Sequence, residues 1–165
     1  MPLPLLLPAL LLMQAPASAP ILELSPRLYV LKGAPTPATY QALTEARITY
    51  VIDLRRDGEP GANQGAECAA LSALSINYYR YAISATPSRA DFNRLREIIR
   101  ELPSGARVLI HCGDGNRASA VVCASLVMDR NLQVDKALEL AHNGGLRRPD
   151  TEEALRTYLK AMGRG

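Results

Sequence analysis

The chain has 165 residues, is 48% hydrophobic and 21% charged, and carries a net charge of +3. That is enough for one domain with a buried core and too little for a second of usual size. The mild charge excludes a nucleic-acid binder with a concentrated basic patch, while nineteen basic residues, nearly all arginine, suit phosphate or carboxylate recognition or reflect a G- and C-rich genome.

Residues 1–19 read as a leader. Leu3 to Met13 is apolar, interrupted by Pro4 and Pro8, and the first charge is Glu23. The run is too short to cross a bilayer as a helix, which needs roughly 20 residues. It fits the apolar region of a secretory signal, without the usual preceding Lys or Arg. Ala15, Ala17 and Ala19 offer small-residue cleavage sites, with Ala17 favoured because Pro20 would make an awkward first mature residue. The expectation is an exported protein, periplasmic or secreted, with no stable membrane insertion; the alternative is a cytoplasmic chain with a Pro- and Leu-rich leader.

Residues 20–165 read as alternating strands and helices. Residues 28–32 form a short strand, and Thr36-Pro37 opens a helix to about Ala46. Residues 48–54, β-branched and apolar, predict a buried strand. Asp57-Gly58 and Pro60-Gly61 mark residues 55–63 as a loop, followed by a helix over about 64–74 and a strand over 76–83. Ser88 and Asp91 form a capping box for a helix whose apolar face is Phe92, Leu95, Ile98, Ile99 and Leu102. A short strand at 107–110 leads into a polar loop at 111–116. The helix at 117–129, apolar all round, must be buried. Amphipathic helices over about 134–142 and 151–162 complete the pattern. Such alternation predicts an α/β fold with a mostly parallel sheet flanked by helices, and a ligand site beyond the carboxyl ends of the strands, where loop 111–116 lies.

That loop reads His111-Cys112-Gly113-Asp114-Gly115-Asn116-Arg117. Cys112 follows a buried strand and precedes a buried helix, whose free N–H groups and positive dipole end favour an anion and a thiolate. Gly113 and Gly115 are expected to take positive φ and turn amides inward around an oxyanion. Arg117 can hold two oxygens of a tetrahedral anion, and His111 can orient the loop or support the thiolate. His111, Gly113, Asp114, Gly115, Asn116 and Arg117 are the expected anion-binding set. Cys68, Cys112 and Cys123 have neither disulfide nor metal-ligand spacing; Cys68 and Cys123 read as core.

The segment resembles the protein-tyrosine/dual-specificity phosphatase superfamily, whose signature is His-Cys-x5-Arg. It is most similar to the bacterial beta-lactamase-hydrolase-like phosphatases, which have a shortened Cys-x4-Arg loop. Asp53-Leu54-Arg55, Gly58-Glu59 and Gly145-Leu146 add to the likeness, which runs from about Arg27 to Leu159. The resemblance implies a cysteine-phosphatase fold and a phosphocysteine intermediate on Cys112, with Arg117 and loop amides on the phosphoryl oxygens. It implies no metal or other cofactor, and a phosphorylated protein (possibly phosphotyrosine) or a small phosphoester as substrate.

This chain departs from the pattern in three ways. Four residues rather than five separate Cys112 from Arg117, a length that rhodanese-type sulfurtransferases also use. Ala118 follows the arginine, so a hydroxyl assisting the thiolate would have to come from Ser119. The general acid is open: Asp91 is also the third residue of a capping box, Asp114 lies in the loop itself, and Asp57 and Glu59 sit on a neighbouring loop. Arg55 and Arg56 are either solvated or steer anions. A sulfurtransferase or persulfide carrier on Cys112 and a non-catalytic oxyanion-binding module are the alternative readings.

Overall fold

Among the described residues, five strands form one sheet in the order β1-β2-β5-β3-β4. β1 (Ile21–Ser25) and β2 (Leu28–Leu31) pair antiparallel. The parallel remainder comprises β2, β5 (Val108–His111), β3 (Tyr50–Asp53) and β4 (Asn77–Arg80). The structure is a computed structural model and describes residues 21–165; the expected leader at 1–19 lies outside the described residues. The mostly parallel α/β arrangement is as the alternation predicts, with β3 and β4 shorter at both ends than their apolar runs. β1 is an addition. Ile21, Leu22 and Leu24 have strand character, but only pairing with β2 identifies the segment as an edge strand.

Six helices of the described residues cover the sheet. On one face lie α1 (Pro37–Glu45) and α2 (Gln64–Ala73), where Leu43 and Leu71 pack with Tyr29, Leu31, Val51 and Leu109. On the other face are α3 (Arg89–Glu101), α4 (Asn116–Arg130), α5 (Val134–Gly144) and α6 (Pro149–Ala161). α4 touches α3, α5, α6, β2 and β5, which is why its sequence is apolar on every side. Cys123, inside α4, is a core residue as expected; burial pushes its thiol up to about 12. Cys68 is not core but exposed. α2 turns Glu67 and Leu71 inward, and Cys68, one residue along from Glu67, is rotated about 100° away. No described helix is long and apolar enough to cross a membrane.

Candidate active site

Alternation along β5 sets the site's geometry. Val108 and Ile110 face the α4 side and Leu109 faces α1 and α2, because successive side chains point to opposite faces. His111 therefore follows Leu109 toward α2, and Cys112 falls on the α4 side with Ile110. The two neighbours serve opposite sides of the sheet.

Cys112 has no solvent-exposed surface, yet its sulfur has polar neighbours. Its thiol can donate to Asp114 Oδ1 at 3.5 Å, and the same oxygen accepts from Asn116 N–H at 3.0 Å. Asp114 thus occupies an amide at the start of α4 that an incoming oxyanion would use. Gly115 has φ +85°, and a β-carbon there would lie 2.9 Å from Gly144 O and 3.1 Å from Leu31 O. Positive φ and close backbone contact both require glycine. Gly113 does not share this conformation. Its α-carbon faces open space, leaving room above the loop rather than shaping it.

Arg117 turns inward. Its Nη1 donates to Ile83 O at 2.9 Å, Leu54 O at 3.3 Å and Glu59 Oε1 at 2.8 Å, and Nη2 donates to Glu59 Oε2 at 2.6 Å. Glu59 therefore clamps one edge of the guanidinium bidentately. The other edge, Nε with the second Nη2 proton, meets no oxygen of the described residues and remains for a ligand. Burial works against the Arg117 charge, but Glu59 and the Cys112 side chain beside it outweigh burial and raise its pKa. The Arg117 hydrogen bond in turn holds the Glu59 carboxyl down at about 2, against the opposing effect of its partial burial. Glu59 was one of several carboxylates open as general acid; kept ionised against Arg117, it is unsuited to donate a proton.

Beneath the loop, on the α2 face, lies a buried charge cluster. The register sets His111 beside Asp53. His111 Nε2 is 2.7 Å from Glu67 Oε1 and 3.9 Å from Asp53 Oδ1. Arg55 donates to both Asp53 oxygens at 2.8–2.9 Å, to Glu67 Oε2, and to Gly61 O at 3.1 Å. Tyr78 adds a hydroxyl to Asp53 at 2.8 Å. Burial opposes the Asp53 charge, but the Arg55 hydrogen bond and His111 overcome it and lower the pKa. Asp53, Glu67 and His111 come close enough to share a metal ion, but Arg55 already supplies the cation between the two carboxylates, so the set does not fit one. Arg55, read as solvated or anion-steering, is 1% exposed and ties β3 to α2. His111, expected in the anion-binding set, is fully buried and supports the loop from below.

The other expected residues separate. Asn116 is 1% exposed and turns its side chain away from the loop centre. Its Oδ1 accepts from Arg147 N at 2.9 Å and Arg148 N at 3.0 Å, and its Nδ2 donates to Thr151 Oγ1 at 2.6 Å. Thr151 passes the chain on to Ala85 O at 2.6 Å, so Asn116 joins the cysteine loop, the α5–α6 connection and the loop after β4. Asp91 is held by the α3 cap, accepting from Ser88 N at 2.8 Å and Ser88 Oγ at 2.7 Å. Asp57 pairs with Arg80 at 2.6 Å with its side chain 87% exposed. Ser119 is buried against Gly144 of α5. Of the expected acids, Asp114 is the one in contact with the sulfur. The sequence carries no local signal for Glu59 as the partner of Arg117, 58 residues away, or for Glu67, a lone Glu on a short helix.

No protein-family model matches the chain, and no curated protein matches it. Solved structures do. PTPMT1 in complex with PI(5)P is 14% identical with a TM-score of 0.69, covering 87% of this chain and 97% of that one. Tk-PTP in its active form is 21% identical with a TM-score of 0.63, covering 88% and 99%. TpbA of P. aeruginosa in complex with pTyr is 18% identical with a TM-score of 0.66, covering 92% and 96%. Across nearly its whole described length, this chain shares the fold of PTPMT1, Tk-PTP and TpbA.

Proposed function

We propose that the protein is a cysteine-dependent phosphatase acting on phosphate monoesters, with aryl esters such as phosphotyrosine as the leading class. The observation that carries this reading is the half-used guanidinium of Arg117. Glu59 clamps one edge, and the guanidinium lies beside Cys112 at the N-terminus of α4. Shared fold with three phosphatases, one of them bound to pTyr, supports the same class.

In this mechanism the Cys112 thiolate attacks phosphorus while the free edge of Arg117 and the loop amides hold the equatorial oxygens. The ester P–O bond breaks, its electron pair stays on the leaving oxygen, and Asp114 supplies the proton. Water then attacks the phosphocysteine, giving its proton to Asp114. The S–P bond breaks, releasing phosphate and restoring the thiolate. Asp114 leaves the Asn116 N–H when the phosphoryl group arrives. Its negative charge would oppose a dianion, so in this mechanism the Cys112 thiol passes its proton to Asp114, to which it donates, leaving the thiolate and a protonated acid as substrate binds. The apolar leader supports export as the setting.

Purified protein is expected to release phosphate from phenyl phosphate, and Cys112→Ser to abolish release with the fold intact by circular dichroism. Undiminished turnover in the serine variant would remove Cys112 as nucleophile. Thiosulfate-dependent cyanide conversion without phosphate release would favour sulfur transfer on the same thiol.

A further inference from the structure

The connection between α5 and α6 lies directly on the cysteine loop. A β-carbon at Gly145, where φ is +120°, would sit 3.2 Å from Asp114 O. Two consecutive residues further on are pinned through Asn116, whose buried amide oxygen accepts from both Arg147 and Arg148 N–H. The base of Arg147 is thus fixed relative to the residue adjoining Arg117. Its guanidinium reaches back over the loop, with Nη2 3.6 Å from Asp114 Oδ2 and a side chain 61% exposed. The other oxygen of that carboxylate is 3.5 Å from Cys112 Sγ. A single carboxylate therefore spans the gap between Arg147 and the sulfur.

We propose that Arg147 forms a second anion subsite beside Cys112, selecting phosphomonoesters that bear a further anionic group close to the scissile phosphate. The inference rests on the phosphatase reading and narrows its substrate class. Asp114 now accepts the loop amide that a phosphoryl oxygen needs. When the phosphoryl group displaces it, Arg147 loses its nearest carboxylate and faces the flank of the substrate as an open cation. The neighbouring acids on α6 do not pair with Arg147: Asp150 faces Arg148, Glu152 is held by His142 and Arg156, and Glu153, which lines the same cavity, comes within ion-pair distance of no cation of the described residues. A planar guanidinium in that position favours a carboxylate or second phosphate on the substrate over a neutral substituent.

The test compares phenyl phosphate with 3-carboxyphenyl phosphate in the full chain, as wild type, Arg147→Ala and Arg147→Lys. Comparing variants on the same pair of esters cancels any difference in leaving-group acidity. Arg147→Ala is expected to lower kcat/KM for the carboxylated ester about fivefold more than for phenyl phosphate, as suits one partly exposed ion pair. The differential should shrink in high salt, and Arg147→Lys should retain most of it. Equal losses on both esters, or none, overturn the subsite. If wild type turns over neither ester, the phosphatase reading fails, and the subsite is judged by calorimetric affinities for the same two compounds. Equal weakening of both by Arg147→Ala, or no weakening, then removes it.

Discussion

Replacing Glu59 by Gln tests whether the arginine clamp organises the site. The substitution keeps the shape and removes the charge that meets Arg117 at 2.6 and 2.8 Å. The Arg117 side chain is 10% exposed and that of Glu59 19%. Exposed pairs contribute up to about 1 kcal/mol, and removing one partner of a buried pair costs about 3–5. This pair falls between, near 2–3 kcal/mol. Linkage gives an upper figure of about 3.4 kcal/mol. Folding lowers the Glu59 carboxyl from 4.5 to about 2, and each unit corresponds to about 1.4 kcal/mol. The sign is that of a depressed acid: the contribution is complete above pH 4.5, declines as pH falls toward 2, and is gone below it. Urea titrations should therefore show Glu59→Gln about 2–3 kcal/mol less stable at pH 7, with the gap closing between pH 4.5 and 2. Because an unclamped guanidinium presents its free edge less well, kcat/KM on phenyl phosphate should fall about 10- to 100-fold, or about 1.4–2.7 kcal/mol of transition-state stabilisation. A stability gap independent of pH, or full activity while Arg117→Ala is inactive, would refute the clamp.

Gly115→Ala should cost at least about 3 kcal/mol, since it combines a strained positive φ with a clash against two backbone oxygens; Gly113→Ala, which meets nothing within 4 Å, should fold with a melting temperature close to wild type. A Gly115→Ala protein as stable as wild type would mean that the loop does not pack as described. Asp114→Asn should lose about 100-fold or more in kcat on phenyl phosphate and much less on p-nitrophenyl phosphate, whose leaving oxygen needs little protonation. Asp91→Asn should instead lose about 1 kcal/mol of stability through the α3 cap. A leaving-group-dependent loss in the Asp91 variant and none in the Asp114 variant would reverse the two assignments.

Local sequence determined the alternation of strands and helices, hence the mostly parallel sheet, and the place of Cys112 between a buried strand and a buried helix. It also determined the caps at Thr36 and Ser88, because periodicity and capping act over a few residues. Tertiary structure alone decided what each charged group meets. Glu59 reaches Arg117 across a separation of 58 residues, and Glu67 reaches His111 because strand order lays β3 beside β5 under α2. Asn116, one residue from Arg117, faces the α5–α6 connection because the helix it begins is packed on all sides. The physical reason is one of range. Burial patterns repeat along the chain and can be read there, whereas an ion pair depends on which distant segments the sheet order makes neighbours, and no local pattern carries that order.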